Sequence, residues 1–329
     1  MQSLAMGPAK WRSNGIFNEI ICVTAWELFM NPPAQVTLIE VGPRDGLQSR
    51  KEPIPTPLKK QLIEQLVAAG VTDIQITSFV HPKKVPQMAD AEELCAALIP
   101  SAANLSGLAL NERGIERAHQ AGLQQVDVSM SSSETHSLKN ANQTLEEAKS
   151  KLLKGIGLAQ TNGMRTRVGL QCAFGCKYEG NIEAKKVLQW IESIVETKPD
   201  MVSLADSTGM ATPFQLKRLL PDALALLGEI PLVLHLHDTE GLGMANFVAA
   251  LECNVQRFDT AFGGLGGCPF IPGASGNITT EDVVTFLDKE GIQTGIDPAA
   301  VASCSREIAT FLGEALPGKQ YRLLETTGN

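Results

Sequence analysis

Two histidines, His235 and His237, close the apolar run Leu232-Val233-Leu234-His235-Leu236-His237. In an extended strand, side chains two residues apart leave the same face. Both imidazoles would therefore project together while Leu236 packs on the opposite side. The chain holds only 5 histidines, and a pair at a strand end suits a metal; the other reading is a pair of satisfied core histidines. A hard divalent cation also takes oxygen ligands. Asp45, in Glu40-Val41-Gly42-Pro43-Arg44-Asp45, is the matching carboxylate, with a turn or helix-capping aspartate as the alternative. Arg44 is either a surface arginine or a fixed cation for a developing oxyanion. The run Gly263-Gly264-Leu265-Gly266-Gly267-Cys268 reads as a backbone cradle for phosphate or as a lid that brings Cys268 over the metal. No Gly-Lys-Ser/Thr follows it, so it is not a P-loop.

These residues act together only if a fold gathers them, and from Val36 onward short apolar runs alternate with longer amphipathic ones. Strands are expected at Val36–Glu40, Asp73–Thr77, Ser106–Leu110, Gln125–Ser129, Arg165–Leu170, Met201–Ala205, Leu232–His237 and Arg257–Ala261. Helices are expected at Pro57–Ala69, Asp90–Leu98, Glu112–Ala121, Leu145–Thr161, Ile182–Thr197, Pro213–Leu227, Gly243–Glu252 and Thr280–Lys289. Thr56 and Thr212 are the expected caps ahead of Pro57 and Pro213. Gly70, Gly122 and Gly163 stand just past helix ends, where a left-handed residue is wanted. Eight strand–helix units imply parallel pairing and closure into a TIM (β/α)8 barrel. An open doubly wound sheet would favour a GxGxxG turn after the first strand, and Gly42-Pro43-Arg44 is not one. The expected organisation is an N-terminal extension over 1–35, the catalytic barrel over 36–290 and a C-terminal helical cap over 291–329, with Asp297–Leu316 as its helix.

A TIM barrel keeps its chemistry at the C-terminal strand ends. Gln75, Thr77 and Ser78 end the second strand, and with Gln48 they are candidate substrate contacts. Asp206, ending the sixth, is a candidate catalytic carboxylate.

A formal charge of −8 argues against a nucleic-acid partner, which needs a basic face. No apolar run approaches the ~20 residues of a membrane span. The 7 cysteines are odd in number and scattered without a CxxC pair, which favours a reducing compartment, the cytoplasm. Residues 1–29 read as a dispensable extension from an early start codon ahead of Met30, or as an N-terminal helix packed on the barrel.

The segment Val36-Thr37-Leu38-Ile39-Glu40-Val41-Gly42-Pro43-Arg44-Asp45-Gly46-Leu47-Gln48 resembles the opening strand of the hydroxymethylglutaryl-CoA lyase family. Thr77-Ser78-Phe79-Val80, Val85-Pro86-Gln87-Met88, His235-Leu236-His237-Asp238-Thr239 and Gly263 through Asn277 (GGLGGCPFIPGASGN) are similar to further motifs of that family. The resemblance covers about residues 36–290. It implies a TIM barrel, a divalent metal (Mg²⁺ or Mn²⁺) held by Asp45, His235, His237 and Asn277, and Arg44 stabilising an enolate. It also implies Cys268 as acid–base on a lid, an acyl-CoA substrate cleaved by retro-Claisen chemistry, a homodimer and a place in leucine degradation. Three departures stand out: Gln75 where the family usually has Glu, Glu240 where it has Tyr, and Ser49-Arg50 where it has Asn-Glu. They leave the metal set intact but open the substrate, with citramalyl-CoA as one alternative. A pyruvate-type aldolase or condensing synthase on the same barrel, and a non-catalytic metal-bound scaffold, are the other readings.

Overall fold

Runs such as Ile74-Gln75-Ile76 and Leu232-Val233-Leu234 are buried along their whole length, as parallel strands covered on both faces require. A computed structural model describes residues 33–50, 52–267 and 276–323. Its strands are β1 (Thr37–Glu40), β2 (Asp73–Ser78), β3 (Asn104–Leu108), β4 (Gln125–Ser131), β5 (Arg165–Gln171), a short antiparallel pair β6 (Gly175–Cys176) and β7 (Gly180–Asn181), then β8 (Met201–Asp206), β9 (Leu232–Leu236) and β10 (Arg257–Thr260). Apart from β6 and β7, these close into one barrel in the order β1-β10-β9-β8-β5-β4-β3-β2. Neighbouring barrel strands are parallel throughout.

Helices α1 (Thr56–Ala68), α2 (Ala91–Leu98), α3 (Glu112–Gln120), α4 (Glu134–Ala141), α5 (Leu145–Thr161), α6 (Ala184–Val195), α7 (Pro213–Leu227), α8 (Gly243–Glu252) and α9 (Thr280–Lys289) follow in chain order. After the barrel come α10 (Pro298–Leu312), packed against α1 and α9, and α11 (Gln320–Leu323). This is the TIM barrel that the alternating pattern implies. No helix among the described residues is long and apolar enough to cross a membrane.

Several local expectations shift. The third strand runs two residues earlier than the pattern suggests, which leaves Leu110 at the mouth, 41% exposed. Helix α4 is an addition: Ser133 caps it by accepting from the His136 N–H at 3.1 Å, and Asn142 ends it at φ 54°. Only His136 and Ser137 are buried on it, so it has no apolar stripe by which periodicity finds a helix. Thr212 caps α7 as expected, accepting from the Gln215 N–H at 3.3 Å. Thr56 does not cap α1: it is the first helical residue, follows Pro55, and donates its hydroxyl to Asp90 Oδ2 at 2.8 Å. At Gly70 (φ +94°) a Cβ would lie 2.2 Å from the Gly295 carbonyl oxygen, so both the turn and the close approach require glycine.

Most apolar side chains fill the shell between strands and helices. A separate small cluster, Ile39, Val41, Met201 and Val233, plugs the barrel interior. The strand ends around the glycine-rich segment are tied by two buried carboxyl groups. Glu40 accepts from the N–H groups of Gly42 (2.7 Å) and Phe262 (3.1 Å) and from the Thr280 hydroxyl (2.7 Å). Glu281 accepts from the Gly263 N–H (3.1 Å) and the Ser305 hydroxyl (2.8 Å). Burial outweighs these donors and pushes Glu40 up to about 8 and Glu281 up to about 7. In the window between the ordinary value of 4.5 and these raised values, the fold holds protons that the unfolded chain has released.

Stability is therefore fully present below the unfolded value and is lost as pH rises through the folded ones. Tm is expected to fall between pH 5 and pH 8, and Glu40→Gln should flatten that slope. Thermal denaturation across the range checks this. An identical slope in the variant would mean that Glu40 does not carry the proton.

Candidate metal centre at the barrel mouth

After β1 the backbone makes one π-type turn. The Val41 carbonyl accepts from the N–H groups of Asp45 (2.7 Å) and Gly46 (3.4 Å). Such turns aim side chains that a regular helix would direct elsewhere, and here Asp45 is brought to the end of β9. His237 lies one residue past β9 and bridges to Asn277. Asp45 Oδ2 is 4.0 Å from His235 Nε2 and 3.8 Å from His237 Nε2, and one ligand atom from each residue lies within 4.8 Å of the others. Asn277 donates its amide to Asp45 Oδ2 at 2.9 Å and to the Leu265 carbonyl at 3.1 Å, leaving Oδ1 buried without a partner.

The segment reaches Asn277 through a tight neck. A Cβ at Gly276 would meet Gly266 Cα at 2.4 Å, and Asp238 donates its N–H to the Gly276 carbonyl at 2.9 Å.

These residues fit a cation. His235 Nδ1 lies 3.0 Å from Asp259 Oδ2, an arrangement that fixes the tautomer with Nε2 bare. That bare nitrogen faces His237 Nε2 at 3.0 Å, and His237 Nδ1 is buried without a partner. Two converging imidazole nitrogens, a carboxylate and an orphaned amide oxygen form the donor set of a divalent metal. Burial alone would raise the Asp45 carboxyl, but Arg44, His237 and His235 hold it well below the usual range. It is therefore ionised, as a ligand must be.

A chain of polar side chains crosses the barrel from this centre. Arg44 Nε donates to Gln75 Oε1, and its Nη1 meets Asp45 Oδ1 at 2.5 Å. Gln75 is fully buried and donates its own amide to Asp127 Oδ2. Asp127 also accepts from the Ser106 hydroxyl at 3.0 Å and pairs with Arg167 Nη2 at 3.3 Å. Arg167 Nη1 then meets Asp259 Oδ1 at 2.6 Å, and Asp259 reaches His235. Burial opposes charge on Arg167, but the two aspartates raise its pKa and keep it protonated; Arg167 and His235 in turn lower Asp259 against burial. Sequence reading missed Asp127, Arg167 and Asp259. Their signal was a charged residue in the middle of each of three strands, a place that parallel strands covered on both faces rarely give to a charge.

The mouth opens into a cavity of about 1130 Å³ whose lining includes Arg44, Asp45, Gln48, Gln75, His235 and His237. Three expected site residues stand apart from it. The Thr77 hydroxyl contacts Met88 Sδ at 3.7 Å because a register shift between Gln75 and Thr77 turns it away. Ser78 is buried with its hydroxyl unpaired and does not line the cavity. Asp206 accepts from the N–H groups of Met210 and Ala211, both at 3.1 Å, and so closes the turn after β8; burial pushes it up to about 6. Cys268 lies outside the described residues.

A closed (β/α)8 barrel with a carboxylate and two imidazoles converging at its C-terminal mouth defines a TIM barrel built around a metal-type donor set. The HMGL-like family matches residues 35–308, and the chain belongs to it. It is 37% identical over 296 residues to a hydroxymethylglutaryl-CoA lyase of Bacillus subtilis, covering 90% of this chain and 99% of that protein. It is 36% identical over 293 residues to an (R)-citramalyl-CoA lyase of Chloroflexus aurantiacus, covering 86% and 92%. A solved hydroxymethylglutaryl-CoA lyase from Acinetobacter baumannii, in complex with coenzyme A and 3-methylmalate, shares the fold at a TM-score of 0.84. It is 37% identical, with 88% of this chain and 95% of that one covered.

Proposed function

We propose that this protein is a carbon–carbon lyase that cleaves a 3-hydroxyacyl-CoA thioester to acetyl-CoA, or a homologue, and a keto acid. The observation that carries the reading is the convergence of Asp45, His235 and His237 beside Arg44 in one cavity of an HMGL-like chain. Asp45, His235, His237 and Asn277 hold the divalent ion, Mg²⁺ or Mn²⁺. When bound, such a cation supplies Lewis acidity that lowers the pKa of the substrate hydroxyl. The C3 hydroxyl gives its proton to the Cys268 thiolate, C3–O becomes a carbonyl as the C2–C3 bond breaks, the bond's electron pair passes into the thioester enolate, and C2 then takes the proton back from the Cys268 thiol.

Arg44 has its Nε on Gln75 and Nη1 on Asp45, which fixes the guanidinium plane and leaves Nη2 for the developing enolate oxygen. Cys268 is assigned the return of the proton to C2. Gln48 lines the approach. Asp259 and Arg167 position His235.

Gln75 bears on the acyl group. Its oxygen accepts from Arg44 and its amide donates to Asp127, so it takes no proton. Assaying purified enzyme on hydroxymethylglutaryl-CoA, citramalyl-CoA and free hydroxyketo acids, with and without chelator, tests the reading. Cleavage of free acids but not thioesters would favour an aldolase. Native activity on hydroxymethylglutaryl-CoA is expected to be weak. Gln75→Glu should shift the kcat/KM ratio toward it by roughly tenfold, the scale of one charge-assisted hydrogen bond. An unchanged ratio would remove position 75 from substrate selection.

A further inference from the structure

TIM-barrel interiors are usually filled by bulky branched side chains, and one sector of this interior is not. On β4, β5 and β8 the register pairs Ser129 with Gly169 and Gly169 with Ser203, and Ala205 pairs with His235 on β9. By strand parity these positions share the inward face with Asp127, Arg167, Met201 and His235. All four small residues line the mouth cavity. They stand between the apolar plug of Met201 and Val233 below and the open mouth above, so the spare volume lies along this wall.

A second observation points to a ligand there. Ser203 is 8% exposed and its hydroxyl makes no hydrogen bond among the described residues. It leans over Gly169, where a Cβ would come within 3.0 Å of Ser203 Oγ and 3.2 Å of Ser129 Cβ. A hydroxyl without a protein partner on a side chain this deep in the cavity wall is placed to bond a polar group of whatever occupies the cavity. Ser129, by contrast, accepts from the Gln171 amide at 3.0 Å.

We propose that this wall receives the C3 substituent of the acyl group, and that the substrate is a 3-hydroxyacyl-CoA whose C3 branch is longer than methyl and carries an oxygen function within reach of Ser203. The inference rests on the lyase reading above and names its substrate class. The reacting atoms sit on the β1 and β9 side, where Arg44 and the metal set converge. The branch then points across the barrel to Gly169, with Ala205 beside His235 as the passage. A larger side chain at Gly169, its Cβ wedged between Ser203 Oγ and Ser129 Cβ, narrows the wall without touching Arg44, Asp45 or either histidine.

The test measures kcat/KM on 3-hydroxy-3-methylglutaryl-CoA and on homologues whose C3 methyl is replaced by butyl or by 4-hydroxybutyl. Wild-type enzyme should favour the hydroxybutyl thioester over the methyl one by at least tenfold. Gly169→Val should lower the two long-branch values at least tenfold more than the methyl value. Ser203→Ala, which leaves the wall open, should cut the hydroxybutyl advantage over butyl. Preference for the methyl substrate by the wild-type enzyme, which needs no variant to fold, would overturn the inference and leave the lyase reading standing. So would equal losses on all thioesters in well-folded Gly169→Val. Failure to cleave any thioester would overturn both.

Discussion

His235→Ala should lose thioester cleavage by on the order of a thousandfold, since metal polarisation supplies several kcal/mol and about 1.4 kcal/mol corresponds to a factor of ten. Of the two histidine ligands, His235 is the one held at both ring nitrogens among the described residues, by Asp259 at Nδ1 and by the converging His237 and Asp45 at Nε2. Its removal deletes a donor and frees Asp259. Chelation of wild-type enzyme should produce the same loss, and Mg²⁺ or Mn²⁺ should restore it. The Asp259→Asn protein is expected to fall between, losing about 10–100-fold in metal affinity, because it keeps the imidazole but not its orientation. Metal content measured beside steady-state rates separates these outcomes. A His235→Ala protein with full metal content and an unchanged rate would sink the assignment.

The largest stability effect is expected at Arg167. The residue is 4% exposed, and its guanidinium lies between Asp127 and Asp259. Replacing it with methionine keeps the volume but leaves two carboxylates facing each other without a cation. Breaking a buried ion pair in this way costs about 3–5 kcal/mol, or roughly 10 °C in Tm for a domain of this size. Adding Asp127→Asn should return part of the loss, because it removes one of the stranded charges while Gln75 and Ser106 can still bond the amide. Chemical denaturation of the single and double variants measures both changes. A loss below about 1 kcal/mol in Arg167→Met would mean that the aspartates simply take up protons.

The barrel was legible because its strands are buried on both faces and so stand out as short apolar runs bounded by turn residues. The two histidines were legible for a related reason: a polar pair at i and i+2 breaks such a run in a way that core packing does not need. The Asp127–Arg167–Asp259 row was harder to see. Each residue sits in a different strand, far from the others in sequence, and only the register, Asp127 opposite Arg167 and Asp259 opposite His235, reveals the partners. Thr56 shows the same limit at shorter range. A threonine before a proline reads as a cap until a carboxylate just ahead of another helix, Asp90, claims its hydroxyl. Thr77 fails for a third reason: a bulge after Gln75 reverses the alternation that would have turned both residues inward.

The neck at Gly266 and Gly276 has a consequence for how such an enzyme diversifies. Two glycines in close backbone approach bring positions 266 and 276 to one gate, while Asn277 stays anchored to the Leu265 carbonyl. The cost of closing an excursion grows only with the logarithm of its length. A change in the number of residues between the two glycines is thus expected to cost the fold little. The gate uncouples the metal ligands, which keep their places, from changes in chain length between its two glycines.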